Sequence, residues 1–291
     1  MPKVNATPPL PAPIMSTLSS SDGETLAVYD WPLPAAQNLR GTALLVHGLG
    51  EHMGRYAHVA QHLNGWGFSV RGYDHVGHGL STGKRGVLPK DNSMLNDLAE
   101  VISQTRQAFP TGLPLVLIGH SMGGGVVGRY VSLNKSSVDA LVMSSPALDP
   151  GLNVIQKFLL ATLPKIAPDL CIGNGLDANF ISHDPATVAA YVADPLGHDR
   201  ISPKLAHVIA TSGAATIQAA SQWTTPTLLM FAGEDKLVKP AGSRAFAAAA
   251  PSCVKAKAFE HMFHELFNEN DQAQVFEVLK TWLDQEFRKA A

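Results

Sequence analysis

Residues 115–133 read LVLIGHSMGGGVVGRYVSL and carry the strongest indication of the fold. The first four residues are apolar with no polar face, which is typical of a central parallel strand covered by helices on both sides. Residues 126–133 favour a helix. Between the two segments lies a Gly-x-Ser-x-Gly motif centred on Ser121. The motif alone is a weak signal, but its position between a buried strand and a helix is typical of a strained turn that exposes a serine hydroxyl.

The same alternation of strand-like and helix-like segments extends to both sides of this stretch. Further strands are predicted at residues 42–46, a short apolar run, and at 68–73, 140–144, 227–232 and 254–259. Segments of helical periodicity follow most of them, including one with a predicted N-cap at Asp91. Repeated strand–helix units predict a mostly parallel, doubly wound α/β sheet. Upstream, the turn at Asp22-Gly23 predicts an N-terminal antiparallel hairpin.

One long segment interrupts this alternation between Pro146 and Pro226, where helical patches occur without a clear strand. We predict a helical cap insertion at residues 149–220, between core segments 15–148 and 221–291, and a disordered tail at 1–14. Ligands of such sheets bind outside the carboxyl ends of the strands, so the cap is expected to lie over the site. Several of its apolar residues could form an acyl pocket, contact a lipid surface or pack on the sheet: Ile155, Phe158, Leu159, Leu160 and Leu163.

Composition limits the class of protein. With 291 residues and 45% apolar content, the chain can bury one large core. The 22 basic residues against 24 acidic ones leave no basic field for nucleic acid. The tail has no apolar signal-peptide core and no apolar run approaches the ~20 residues of a membrane span, so a cytoplasmic location is predicted. Cys171 and Cys253 are too few for a disulfide scaffold and are predicted to be buried thiols.

A serine hydroxyl needs a neutral imidazole to accept its proton and a carboxylate to orient that imidazole. In the α/β-hydrolase fold these residues follow the serine in the order acid, then histidine. The acid is predicted at Asp235, directly after the strand at 227–232, with Glu234 as the alternative. The histidine should follow the strand at 254–259, where His261 and His264 both qualify and spacing does not separate them.

An oxyanion hole is predicted beside Ser121. The helix after Ser121 directs free N–H groups and its positive dipole end toward the reacting carbonyl, so Met122 supplies one backbone donor. The second donor is predicted to be the N–H of Leu49, in the glycine-rich loop after the strand at 42–46. His47, at the start of that loop, is interpreted as a structural hydrogen-bonding residue rather than a base.

Taken together, the motifs resemble those of the monoacylglycerol lipase and lysophospholipase family of α/β-hydrolases, a serine-aminopeptidase-like group. The resemblance runs from about residue 44 to the C-terminus and rests on the strings HGLGEH (47–52), DHVGHG (74–79), GHSMGG (119–124), DPL (194–196) and FHEL (263–266). It implies that His264 rather than His261 is the catalytic histidine. It also implies that Glu51 and Arg55 lie near the polar head of the substrate, although an ion pair that braces the loop is an equal alternative.

The resemblance implies a serine hydrolase that cleaves monoacylglycerols or related lipid esters through an acyl-enzyme. A lysophospholipase, a broad short-chain carboxylesterase and an amidase or aminopeptidase on the same triad are the alternatives. Dehalogenases and epoxide hydrolases of this fold need a carboxylate where Ser121 stands, so they are excluded. We expect no metal and no organic cofactor. The expected partner is a small lipid ester, with transient membrane or micelle contact through the cap; no oligomeric state is predicted.

Overall fold

The computed structural model describes residues 12–33, 38–110, 112–133, 138–149, 151 and 154–287, with the backbone alone at 154–158. Most of the predicted tail, through residue 11, lies outside the described residues. The strands are β1 (Ile14–Ser19), β2 (Thr25–Trp31), β3 (Gly41–Val46), β4 (Phe68–Tyr73), β5 (Leu115–His120), β6 (Ala140–Ser144), β7 (Ile172–Gly173), β8 (Arg200–Ile201), β9 (Thr227–Ala232) and β10 (Val254–Phe259). The α-helices are α1 (Ala57–Gly65), α2 (Ser93–Ala108), α3 (Met122–Ser132), α4 (Val154–Ile166), α5 (Pro185–Ala193), α6 (Pro203–Ala219), α7 (Pro240–Ala249) and α8 (Gln272–Glu286).

Eight of the strands form one sheet in the order β1-β2-β4-β3-β5-β6-β9-β10. The pairs from β4 to β10 are parallel, whereas β1 pairs with β2, and β2 with β4, in antiparallel fashion. The predicted mostly parallel sheet with an N-terminal hairpin is therefore confirmed, and the fold is that of an α/β-hydrolase. Because parallel strands end at the same edge, the loops after β3, β5, β9 and β10 meet there.

The central strands β3, β5, β6 and β9 are buried on both faces, as the apolar run at residues 115–118 predicted for β5. Leu44 and Val46 of β3 belong to one core cluster, and Ala43 and Leu45 belong to the other. The first cluster lies under α2, α3, α6 and α7, and the second under α1 and α8. Each fully buried leucine contributes about 1.5–3 kcal/mol of transfer free energy, so these runs account for why the strands form here.

The predicted start of α2 is wrong by about one residue. Asn92, not Asp91, occupies the N-cap position, and its side chain makes no capping hydrogen bond. Ser93 instead closes a turn with Lys90: the Lys90 N–H donates to Ser93 Oγ at 2.9 Å, and the Ser93 N–H donates to the Lys90 carbonyl at 3.1 Å. This local turn, which competes with a side-chain cap, sets where the helix begins.

The segment between β6 and β9 holds α4, α5 and α6, in agreement with the predicted helical patches. It also contains a short antiparallel pair, β7 with β8, which the sequence prediction missed because each strand has only two residues. The last helix, α6, packs along α3, where a Cβ added at Gly128 would lie 3.0 Å from the Thr216 side chain. Helix α6 thus joins this segment to the core.

The two cysteines and the lengths of the helices can be compared with the predictions. Cys171 and Cys253 are free thiols, as predicted, but both are only half-buried, because each lies just before a strand at the edge of its layer. None of the helices in the described ranges combines the length and the apolar character needed to cross a membrane.

Candidate active site

Ser121 sits in a sharp turn between β5 and α3. Its φ is 53°, in the left-handed region that side chains rarely adopt. The flanking glycines make the turn feasible: a Cβ at Gly119 would lie 2.5 Å from the Gly123 carbonyl oxygen, and a Cβ at Gly123 would lie 2.3 Å from the Val46 carbonyl oxygen. Both glycines are therefore needed for close backbone approach.

Gly123→Ala is expected to lower the free energy of unfolding by about 2–3 kcal/mol, because the new methyl group meets the backbone carbonyls of Val46 and His47. Gly125→Ala is the matched control on the same helix. A Cβ there would lie 3.4 Å from the nearest atom, so this variant should stay within about 1 kcal/mol of the parent protein. Urea denaturation measures both; equal stabilities of the two variants would contradict the packing argument.

Three of the predicted residues meet in one hydrogen-bonded chain. His264 Nε2 lies 2.8 Å from Ser121 Oγ, and His264 Nδ1 lies 2.6 Å from Asp235 Oδ2. Asp235 follows β9, and its other oxygen, Oδ1, accepts the N–H groups of Leu237 and Val238, both at 2.9 Å. Asp235 and His264 are buried. The carboxylate is thus fixed by its own loop and can orient the imidazole.

The structure also separates the residues that spacing left open. His261 lies only three positions before His264, but its side chain is 94% exposed and its ring contacts Glu234 at 3.4 Å. Neither His261 nor Glu234 therefore belongs to the chain of hydrogen bonds at Ser121. His264 and Asp235 are the residues that meet the serine.

The charges around His264 favour its protonated form. Burial alone would lower the pKa of His264, but the charge and hydrogen bond of Asp235 more than offset it, so the pKa lies above the usual histidine value. Burial opposes the charge of Asp235 as well, yet the contact with His264 holds the pKa of that carboxyl below its usual range. An imidazole in this setting can take a proton from Ser121 and keep it while an intermediate exists.

The loop after β3 is held from two sides. His47 Nδ1 lies 2.8 Å from the Gly48 carbonyl, and His47 Nε2 accepts the His75 N–H at 3.0 Å. Burial lowers the pKa of His47, so the ring is neutral, and the two contacts assign its proton to Nδ1. On the other side, Glu51 Oε1 accepts the Gly48 N–H at 2.6 Å. His47 is therefore a structural hydrogen-bonding residue.

These contacts also orient the next peptide group. In a trans peptide the N–H points opposite to the C=O. Because His47 holds the Gly48 carbonyl, the Leu49 N–H points away from that histidine. Among the described residues, the N–H groups of Leu49 and Met122 have no hydrogen-bond partner, and Met122 is the first residue of α3. Both are free to donate to a bound oxyanion.

Glu51 and Arg55 form the ion pair that was one of the two predicted alternatives, with Arg55 Nη1 2.7 Å from Glu51 Oε2. Arg55 also binds both carboxylate oxygens of Glu265 at 2.8 Å and stacks on the ring of Tyr191 at 4.8 Å. Tyr56 donates its hydroxyl to Glu51 at 2.7 Å. Sequence reasoning missed the role of Glu265, although it stands beside His264 in one of the family-like strings.

A cavity of about 260 Å³ opens beside Ser121 and His264. Its polar lining includes Glu51, His120, Tyr191, Asp194, His198 and Glu265, and its apolar lining includes Leu49, Leu176, Ala178, Ile181, Val192 and Leu237. Burial lowers the pKa of His120 to about 4, so this histidine is neutral at pH 7. The described α4 side chains do not line the cavity; its apolar wall comes from later residues between β6 and β9, together with Leu49 and Leu237.

In the part of the chain that the structure describes, no group of three or more His, Cys, Asp or Glu side chains is arranged to hold a metal ion. At the carboxyl edge of the doubly wound sheet, the serine is hydrogen-bonded to a histidine, which is hydrogen-bonded in turn to a buried aspartate. This arrangement defines the class of serine hydrolases with the α/β-hydrolase fold.

Comparison with known proteins places the chain within this class. Residues 37–271 match the family described as Hydrolase_4, serine aminopeptidase S33. The chain is 36% identical to the monoacylglycerol lipase of Mycolicibacterium smegmatis, over 90% of this chain and 94% of that protein. The chain therefore belongs to the Hydrolase_4 family, and the resemblance to monoacylglycerol lipases is confirmed.

Two solved structures agree with this assignment. The monoacylglycerol lipase of Paleococcus ferrophilus superimposes with a TM-score of 0.80 at 32% identity, covering 90% of this chain and 99% of that one. A soluble variant of the monoglyceride lipase of Saccharomyces cerevisiae, in complex with a substrate analog, gives a TM-score of 0.86 at 25% identity. That match covers 96% of this chain and 97% of the yeast protein.

Proposed function

We propose that this protein hydrolyses the carboxylic ester of monoacylglycerols, with Ser121 as nucleophile, His264 as general base and Asp235 as the residue that orients the imidazole. The observation that carries the proposal is the continuous chain of hydrogen bonds from Asp235 through His264 to Ser121 Oγ, at 2.6 and 2.8 Å. That chain faces a cavity with an apolar wall and a cluster of carboxylates. The similarity to monoacylglycerol lipases supports the substrate class.

In the acylation half-reaction, His264 Nε2 takes the hydroxyl proton of Ser121 while Oγ bonds to the ester carbonyl carbon. The carbonyl oxygen becomes an oxyanion, to which the N–H groups of Leu49 and Met122 donate. His264 then gives its proton to the alcohol oxygen as the bond to that oxygen breaks. Glycerol leaves and the acyl group stays on Ser121.

Water enters for the second half-reaction. His264 takes a proton from the water while its oxygen attacks the acyl carbon, and the same two N–H groups hold the second oxyanion. The fatty acid leaves as the proton returns to Ser121 Oγ. All proton transfers pass through one imidazole, which is why its tautomer and orientation, set by Asp235, matter in both halves.

Glu51 and Arg55 are assigned to the glycerol end of the substrate. Glu51 lines the cavity and already accepts from Gly48, Tyr56 and Arg55, which leaves about one of the roughly four acceptor positions of a carboxylate for a substrate hydroxyl. Glu51→Gln should lower kcat/KM for monooctanoylglycerol more than for methyl octanoate, which lacks those hydroxyls. An equal loss for both esters would leave only the loop-bracing role.

A substrate panel tests the proposed activity. Monoacylglycerols, a lysophospholipid, p-nitrophenyl butyrate and an aminoacyl anilide are compared by kcat/KM. We expect monoacylglycerols to have the highest kcat/KM of the natural substrates and the anilide to be turned over slowly. Preference for the lysophospholipid, or for the anilide, would replace the proposal by the lysophospholipase or the aminopeptidase alternative.

The pH dependence of kcat/KM follows from the raised pKa of His264. The base must be neutral, so activity is present above this pKa and is lost as the pH falls through it. We expect the acid limb above pH ~6.5, the usual histidine value. Asp235→Asn removes the charge that raises the pKa, so the limb should move to lower pH in that variant. A limb that does not move would contradict the assignment of Asp235.

We further propose that residues 149–220 act as a cap that touches lipid surfaces. Six exposed large apolar side chains of the described residues lie there: Leu159, Ile166, Leu170, Ile172, Leu176 and Val192. The double variant Ile166→Ser/Leu170→Ser should bind neutral phospholipid vesicles less while keeping its kcat for p-nitrophenyl butyrate. Ile14→Ser, at an exposed apolar site on β1, is the control. Unchanged vesicle binding of the double variant would contradict the contact.

We also propose that the protein is located in the cytoplasm. The support for this location is the pair of free thiols at Cys171 and Cys253, which suit a reducing compartment. Fractionation of cells that produce the protein tests it: activity in the soluble fraction agrees, and activity in a secreted fraction does not.

A further inference from the structure

The loop after β6 contains a second strained residue close to the nucleophile. In the described part of the chain, Ser121 and Ser145 are the two non-glycine residues with a positive φ, and that of Ser145 is 39°. Ser145 is buried, and its Oγ has no hydrogen-bond partner among the described residues. A side chain in this backbone region is unfavourable and persists only where surrounding contacts impose it. The conformation therefore needs a physical reason.

The contacts of the loop supply that reason. On one side of Ser145, the carbonyl of Ser144 accepts the N–H of Ser121 at 3.0 Å. On the other side, the N–H of Ala147 donates to the carbonyl of Ser121 at 2.8 Å. The Ser145 N–H is bound in turn by the Met230 carbonyl of β9 at 2.8 Å. The chain bends at Ser145, and both arms of the bend hold the backbone of Ser121.

Neighbouring helices keep this loop from relaxing. A Cβ at Gly124 of α3 would lie 2.8 Å from Pro146 Cβ, and a Cβ at Gly213 of α6 would lie 2.5 Å from the Ala147 carbonyl oxygen. Both helices thus approach the loop at glycine positions, where no side chain stands between them and its backbone. A change of φ at Ser145 would be passed to Ser121 rather than absorbed elsewhere.

We propose that Ser145 is a positioning residue for the nucleophile: its left-handed backbone conformation, not its hydroxyl, keeps Ser121 in the strained turn that aims Oγ at His264. The inference rests on the proposed function, because it assigns Ser145 to the same reaction. The unpartnered hydroxyl points to the backbone as the functional part. Misplacement of a reacting group by about 1 Å costs roughly 100-fold in rate, so a backbone shift at Ser145 should be visible in kcat.

Three variants distinguish an effect of the Ser145 backbone conformation from an effect of the Ser145 hydroxyl. Ser145→Gly accepts a positive φ without strain, Ser145→Ala removes only the hydroxyl, and Ser145→Val adds a β-branch that disfavours this conformation. We expect the Gly and Ala variants to keep kcat for monooctanoylglycerol within about twofold. The Val variant should lose about 10- to 100-fold in kcat, with a similar loss in the rate of fluorophosphonate labelling of Ser121 and little change in KM.

Thermal midpoints complete the test and apply even where the Val variant does not fold. Ser145→Gly should melt no lower than the parent protein, because relief of strain offsets the entropy of glycine. A thermal midpoint of Ser145→Gly below that of Ser145→Ala would overturn the inference. So would a tenfold loss of kcat in Ser145→Ala, or full activity in a folded Ser145→Val protein. Failure of the parent protein to hydrolyse monooctanoylglycerol would instead contradict the proposed function, and it is measured in the same assay.

Discussion

Ser121→Ala is expected to lower kcat for monoacylglycerol hydrolysis by about 10⁵- to 10⁶-fold, because without Oγ no acyl-enzyme forms and His264 has no nucleophile to activate. Binding should persist, since the cavity is lined by many other side chains. Ser103→Ala, at an exposed position on α2, is the matched control and should keep full activity. A Ser121→Ala enzyme within tenfold of the parent kcat would contradict the mechanism.

His264→Ala is expected to cost about 10⁴- to 10⁶-fold in kcat, since the hydroxyl of Ser121 is a poor nucleophile without a base. His261→Ala is a sharp control, because the two histidines lie in the same loop after β10. The exposed ring of His261 contacts Glu234 and not Ser121, so its loss should change kcat by less than about twofold. Equal losses in the two variants would show that loop integrity, and not the base, limits the rate.

The central strands were predictable because β3, β5, β6 and β9 are short, mostly apolar segments, and the other strands were predictable from the alternation of strand and helix along the chain. Strands β4, β6, β9 and β10 have the predicted bounds. The pair β7 and β8 escaped prediction because two residues carry no period, and the contact that forms it joins Ile172 to Ile201 across a long stretch of chain. The start of α2 was misplaced because Ser93 closes a turn with Lys90 that propensity does not reveal.

The candidate site was predictable where it follows strand ends. The strand before Ser121 located the nucleophile, and the strand at 227–232 placed the acid at Asp235 with Glu234 as the alternative. The choice between His261 and His264 needed the family resemblance. Spacing failed there because the outcome depends on how the loop turns after Phe259, which exposes one ring and buries the other. Contacts between distant segments, such as that of Arg55 with Glu265, could not be predicted because no local sequence pattern indicates them.

The φ of Ser145 is a further property that the sequence hides. A glycine at position 145 would have indicated a positive φ, but a serine gives no such indication. The conformation depends on contacts of the loop with Gly124, Gly213 and the backbone of Ser121, which are distant from it in sequence. The positive φ of Ser145 therefore comes from the structure and could not be predicted.

Covalent trapping with a fluorophosphonate tests whether Ser121 carries the acyl group. The protein is treated with a fluorophosphonate, digested, and mapped by mass spectrometry, with His264→Ala as the control that should react far more slowly. We expect one adduct, on Ser121, and loss of esterase activity in proportion to labelling. An adduct on another residue that accompanies the loss of activity, or full activity after Ser121 is labelled, would contradict this expectation.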